Sequence, residues 1–249
     1  MRKNLIIADG FYKDPQTVRN FALRAQYYYP YESEEAIKAG QVKASWMSSR
    51  FTEARDCPFK SSEQLIRKLE YLTAEKIDLV HWNLGFPTNS EGKPDLSDQA
   101  IPKSCLWNCS FHLKIKHGQI LGQGIHNHVT DRWNSVGPDG WAGVIYLNLS
   151  APLSGGLHLW RNVDSRRNFD WMTAKENWNL VDSLGNVFNR LILCRGDIPH
   201  SGADGWNNDI ETGRLFQTFF FRVRSFAHTD GVTIPQLSQE TTDARNDDR

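Results

Sequence analysis

Two imidazoles and a carboxylate fall close together in Gly124-Ile125-His126-Asn127-His128-Val129-Thr130-Asp131. A third histidine ends Arg195-Gly196-Asp197-Ile198-Pro199-His200, and Arg214 opens an apolar run downstream. Imidazole and carboxylate together suit a redox-active divalent metal. Two histidines and one carboxylate with open positions are the ligand pattern of non-haem Fe(II) centres that use oxygen.

Position along the chain bears on whether these groups can meet. In a strand, residues two apart face the same side, so His126 and His128 project together while Ile125 and Asn127 point away. Asp131 returns to that side only if the chain turns after Val129, and the polar, Gly- and Pro-bearing stretch 132–140 permits a turn. His200 leaves a tight turn after the apolar run Leu191 to Cys194. Arg214 enters Leu215 to Phe221, where a buried guanidinium without an anion is costly. It is expected to meet a carboxylate, from a side chain or from a ligand. Most histidines in a folded chain are hydrogen-bonded polar residues, and His81, His112, His117, His158 and His228 are read that way. Gly155-Gly156 reads as a tight turn, because no phosphate-loop pattern surrounds it.

Those groups must be carried by a scaffold, and 249 residues with 29 basic and 29 acidic side chains suit one large domain. The balanced charge gives no electrostatic reason to expect nucleic acid or an anionic membrane as partner. Nine Trp and thirteen Phe supply core and pocket walls. Cys57, Cys105, Cys109 and Cys194 form no C-x-x-C pair and read as reduced, buried thiols of a cytoplasmic protein. The apolar run near Leu5 is too short for a signal-peptide core, and no stretch is long enough to span a membrane.

Helices come first. Asp14-Pro15 is a helix start, with Val18, Phe21, Ala22 and Ala25 at helical spacing, which predicts a helix over 15–27. Ser61-Ser62-Glu63-Gln64 offers a capping box ahead of Leu65, Leu69 and Leu72, which predicts a second helix over 62–74. Residues 84–103 read as a long loop. Strands follow at Trp107 to Lys116, Trp141 to Leu147, Leu157 to Trp160, Asn189 to Cys194 and Leu215 to Val223. Thr173-Ala174-Lys175-Glu176 predicts the opening of a surface helix. The expectation is a single domain, mainly β with flanking helices (α+β). An N-terminal helical support region covers 1–103, a β-core 104–226, and a polar, flexible tail 236–249.

Taken in order, several segments resemble the Fe(II)/2-oxoglutarate-dependent dioxygenase superfamily, most closely its prolyl-hydroxylase-like members and their uncharacterised bacterial and phage relatives. They are Phe11 to Arg19, the histidine cluster, Trp141 to Asn148, Ser154-Gly155-Gly156 with Leu159-Trp160-Arg161, Arg190 to His200, and Gly213-Arg214-Leu215. The resemblance implies a double-stranded β-helix (jelly-roll, cupin-like) core. It implies Fe(II) with 2-oxoglutarate as cosubstrate, and hydroxylation of an unactivated C–H coupled to oxidative decarboxylation of that cosubstrate. Carried over, His200 is the distal metal ligand, Arg214 binds the far carboxylate of 2-oxoglutarate, and Tyr146 helps hold it. Molecular oxygen and a small-molecule or amino-acid-like substrate are the implied partners.

The family's His-x-Asp is not reproduced, and two ligand sets stay open. His128, Asp131 and His200 keep a carboxylate, which lowers the net charge of an Fe(II) site, and this set is preferred. His126 then lies behind the ligands or faces the substrate. The alternative is His126, His128 and His200, which strand geometry favours. Two other functions compete: a cosubstrate-free three-histidine cupin-like metalloenzyme, which leaves Arg214 no ligand, and a barrel that only binds. Trp133, Trp160 and the 132–140 loop are expected to border the mouth of the site.

Overall fold

The computed structural model describes residues 2–29, 38–39, 46–95, 97, 106–116, 118, 121–122, 124–129, 134–164, 175–207, 209 and 211–224. Strand β1 (Leu5–Ala8) leads to α1 (Pro15–Arg24), then β2 (Trp46–Ser48), α2 (Glu63–Thr73) and the single turn α3 (Leu79–Trp82). Seven strands follow: β3 (Phe111–Lys114), β4 (Trp141–Tyr146), β5 (Leu157–Asn162), β6 (Trp178–Leu184), β7 (Leu191–Arg195), β8 (His200–Gly202) and β9 (Arg214–Phe221).

The helix starts are the ones the caps predict. Asp14 accepts from the Thr17 amide, with Pro15 in the first turn. Ser62 accepts from the Leu65 amide, so the cap is a single serine rather than a reciprocal box. Helix α1 stops at Arg24, short of the expected 27, where Ala25 turns extended. Helix α2 ends on Ala74 in the left-handed region.

The strands form a six-stranded sheet in the order β1-β7-β4-β9-β3-β2 and a three-stranded sheet in the order β6-β5-β8. Every strand pair is antiparallel. From β4 onward the chain passes from the large sheet to β5 and β6 of the small one, back to β7, across to β8 and back to β9. The large sheet is covered on both faces, which is why β4, β7 and β9 read as near-continuous apolar runs. One face carries Phe111, Leu113, Ile145, Leu191, Leu215 and Phe219 against Val18 and Ala22 of α1 and Leu65 and Leu69 of α2. The other carries Val144, Tyr146, Ile192 and Phe216 against Leu157 and Leu159 of β5 and Leu184 of β6. The two sheets therefore face each other through a shared apolar layer, and the inward residues of β8 and β9 look into it.

Some expectations are corrected. The region before residue 104 is not only helical support, since β1 pairs with β7 and β2 with β3. The strand expected from Trp107 begins only at Phe111, because Trp107 to Ser110 turn, with Cys109 at φ 65°. In place of the surface helix near 173–176, Lys175–Asn177 make one 3-10 turn that feeds β6 (Thr173 and Ala174 lie outside the described residues). Cys57, Cys109 and Cys194 are buried free thiols; Cys105 lies outside the described residues, as does the 236–249 tail. Among the described residues no helix is long and apolar enough to cross a membrane.

Candidate metal centre

Backbone pairing builds the centre from two chain segments. His126 and His200 form an antiparallel bridge, the His126 amide donating to the His200 carbonyl at 3.0 Å and the reverse bond at 2.8 Å. This places the His126 segment on the free edge of β8. The His128 amide donates to the Gly196 carbonyl at 2.7 Å, and the His128 carbonyl accepts from Val136 and Gly137. Both histidines of the first segment are thus fixed against the turn that delivers His200.

The side chains follow. One ring nitrogen each from His126, His128 and His200 lies within 4.8 Å of the others, and these three form a group able to hold a metal ion. His128 Nε2 and His200 Nε2 are 3.2 Å apart. Ring centroids lie 4.6 Å apart for His126 and His200, and 5.0 Å for each of the other two pairs. His128 and His200 are buried, and His126 is partly open. Phe220 of β9 walls the centre, its ring centroid 4.8 Å from that of His128.

Hydrogen bonds on the far side of two rings set their tautomers. His126 Nδ1 meets the Gly124 carbonyl and His200 Nδ1 meets the Ile198 carbonyl, both at 2.8 Å. A carbonyl only accepts, so each Nδ1 carries the hydrogen and each Nε2 keeps its lone pair. That is the arrangement by which an outer hydrogen bond orients a metal-binding imidazole. Burial, then the neighbouring His126 and His128, hold His200 well below the usual histidine range, so a proton does not relieve the crowding there. Two nitrogens each about 2.1 Å from one ion stand roughly 3.0–3.4 Å apart at ordinary coordination angles. The His128–His200 pair has that spacing, and His126 completes a group that could hold a transition-metal ion. Asp131 lies outside the described residues.

Arg214 lies on the inward face of β9, and 3 % of it is exposed. Its Nε donates to the Gly155 carbonyl at 2.9 Å and its Nη2 to the Gly156 carbonyl at 3.1 Å. Among the described residues no carboxylate forms an ion pair with it, although the Asp204 charge favours its charged form, so of the two sources expected for an anion a side chain at contact distance is not the one found. The guanidinium sits over the Phe216 ring at 4.5 Å and the Tyr146 ring at 5.6 Å. Tyr146 is fully buried, and its hydroxyl makes no hydrogen bond of good geometry. Burial pushes its pKa up, against a smaller downward pull from the Arg214 charge beside it. Directly across the strand pair, Lys114 faces Arg214. Burial, and then the Arg214 charge, bring the Lys114 amine down to about 8. Two cations opposed across a strand pair repel, and the Asp204 charge offsets only part of that at Lys114, so this end of the inward face favours an anion.

Of the other residues marked in the sequence, His81 and His158 are hydrogen-bonded as expected. His112 is bonded on one nitrogen only, Nε2 to Thr218 Oγ1 at 2.9 Å. His117, His228, Arg132 and Trp133 lie outside the described residues. Trp160 does not border the centre. It packs with Ile125 and Trp178 on the outer side of the small sheet and donates to Ser201 Oγ. Sequence reasoning passed over Phe220, and it read Gly155-Gly156 only as a turn, although their carbonyls hold Arg214.

No family model matches the sequence, and no curated protein does. Among solved structures, the chain is similar to a prolyl-4-hydroxylase from Pseudomonas putida at 13 % identity. The match covers 89 % of this chain and 93 % of that one with a TM-score of 0.37, too remote a likeness to bear on activity.

Proposed function

We propose that the chain is an Fe(II)- and 2-oxoglutarate-dependent oxygenase that hydroxylates a C–H bond, with His126, His128 and His200 as its metal ligands. The observation that carries this reading is the convergence of three imidazoles, two of them with tautomers fixed outward, in a buried centre. The two sheets are read as the two halves of a double-stranded β-helix, whose inward strands β8 and β9 carry His200 and Arg214.

The cosubstrate half of the reading rests on the anion-favouring end. Arg214 is buried with no ion pair to a described carboxylate, Lys114 opposes it, and the Tyr146 hydroxyl has no hydrogen bond of good geometry, with Arg214 its polar neighbour. A carboxylate placed there would accept from both Arg214 and Tyr146, and charge-assisted bonds of that kind are strong. When bound, iron with 2-oxoglutarate would supply the oxidising power. The chain's own residues do the rest. The three histidines would hold the ion, Phe220 packs against His128 and would keep water from that side, and Arg214 and Tyr146 would orient the cosubstrate.

A second reading, a cosubstrate-free three-histidine metalloenzyme, is favoured by one observation: two Arg214 donors already satisfy backbone carbonyls. Anaerobic titration of the metal-free protein with Fe(II) and then 2-oxoglutarate separates the two. A visible charge-transfer band that appears only after 2-oxoglutarate, and is lost in Arg214→Ala, is the expected result. Iron bound with no band selects the cosubstrate-free enzyme. Failure to bind iron overturns both and leaves a domain that only binds.

A further inference from the structure

A cavity of about 510 Å³ opens on the outer side of the small sheet, away from the histidine cluster. Strands β5 and β8 separate the two. Leu159 and His200 are register partners, as are the adjacent His158 and Ser201, and alternation sends the second pair outward. His158 and Ser201 accordingly line the cavity, with Trp206, Leu121, Leu180 and Pro152 around them.

The polar groups of this cavity are only half used. His158 is 7 % exposed and bonds Ser183 Oγ through Nδ1 at 3.0 Å. Its Nε2 meets no group among the described residues, yet is not sealed off. Ser201, 1 % exposed, accepts from Trp160 Nε1 at 2.9 Å, which leaves its own hydrogen to give. Ser183 and His158 share one hydrogen bond, so between them they can present one further donor and one further acceptor. The accessible Nε2 edge of this otherwise buried imidazole is a polar group that a ligand hydroxyl could bond.

The lining also limits the ligand's charge. His158 is kept neutral by burial, and Arg214 behind the strand adds to that. The carboxylate at the rim, Asp204, already accepts from the Gly118 and Gly205 amides at 2.8 and 2.9 Å. Trp206 is seated by close contact, since a Cβ on Gly155 would fall 2.5 Å from its ring. A cavity lined by an indole, an imidazole and two hydroxyls fits a ring with an apolar face and hydroxyls at its edge.

We propose that this cavity binds a monosaccharide unit, a neutral hydroxyl-bearing six-membered ring, independently of the metal centre. The test is saturation-transfer NMR on the full chain with methyl glucosides, galactosides and mannosides, and with maltose and lactose, at about 10 mM, suited to millimolar affinity. At least one should receive saturation, with affinity roughly tenfold weaker in Ser201→Ala and in Trp206→Ala. Binding should be unchanged in His128→Ala, which lies on the other side of the strands. Tighter binding of a disaccharide would place the source in a glycan, and equal binding in a free sugar. No transfer to any of these probes would overturn the proposal. So would binding that survives in Ser201→Ala and in a Trp206→Ala protein whose circular dichroism is native.

Discussion

His128 Nε2 lies 3.2 Å from His200 Nε2 although 72 residues separate them in the chain. His200 must be bare at that nitrogen, because its Nδ1–H is given to Ile198. Either His128 donates a lone hydrogen across the gap, or both nitrogens face a cation. With His126 beside them, the cation is the economical answer. Metal binding to a native site adds to folding stability. Adding Fe(II) or Co(II) to metal-free protein should therefore raise its melting temperature by several degrees, and chelation should reverse the rise. His126→Ala, His128→Ala and His200→Ala should each lose this response. Asp131→Ala should retain it if three histidines are the full set, and a lost response there would put the carboxylate among the ligands. Differential scanning fluorimetry with and without metal reads all four.

Arg214 and the histidines should separate cleanly in binding. Removing the guanidinium leaves the metal nitrogens untouched but takes a buried cation from the anion-favouring end of the inward face. Arg214→Ala should weaken 2-oxoglutarate by about a hundredfold, roughly 2.7 kcal/mol. Co(II) affinity should stay within about threefold of wild type. Isothermal titration of the Co(II)-loaded protein with 2-oxoglutarate measures the first, and direct Co(II) titration the second. Equal loss of both would mean that Arg214 supports the fold rather than the ligand.

Much of this was readable from the chain, and the remainder fails for identifiable reasons. Strands β4, β7 and β9 announce themselves because both faces of the large sheet are covered. The shared side of His126 and His128 follows from the two-residue period of a strand. Strand β6 hid because only its ends, Trp178 and Leu184, are buried, while Asn179 to Ser183 are exposed. Strands β2 and β8 are three residues each, set by their partners rather than by pattern. The backbone carbonyls that hold Arg214 had no local signature, since acceptor and donor are 58 and 59 residues apart.

Gly156 sits at a tight junction within the small sheet, where the start of β5 meets the end of β6. A Cβ there would stand 1.8 Å from the Leu184 carbonyl oxygen, and backbone cannot step aside as a side chain can. Gly156→Ala should destabilise the protein by roughly 3 kcal/mol, as overpacking against fixed atoms does. Gly202→Ala is the milder neighbour, its Cβ falling 3.2 Å from the Arg214 guanidinium. That variant should fold with a loss of about 1 kcal/mol and bind 2-oxoglutarate more weakly, because the guanidinium must shift. Urea unfolding gives both stabilities. A Gly156→Ala protein as stable as wild type would show that this junction is not tight.

Two buried histidines should set the acid limit of the fold. His81 Nδ1 accepts from the Arg222 amide, so a proton there would break a bond, and burial above all lowers its pKa to about 4. His112 gives its Nε2–H to Thr218 Oγ1, which donates in turn to the Trp107 carbonyl, and burial lowers its pKa to about 3. The unfolded chain takes up both protons near the ordinary value of 6.5. Stability is therefore complete above about pH 7 and falls as pH drops through 6.5 toward 4, because only the unfolded state gains charge there. At pH 5 each ring should account for about 2 kcal/mol of the loss. His81→Gln and His112→Gln cannot titrate, so each should remove about one proton from the slope of stability against pH. Urea midpoints of the metal-free protein between pH 7 and pH 5 measure that slope. An unchanged slope in both variants would mean that other groups govern acid unfolding.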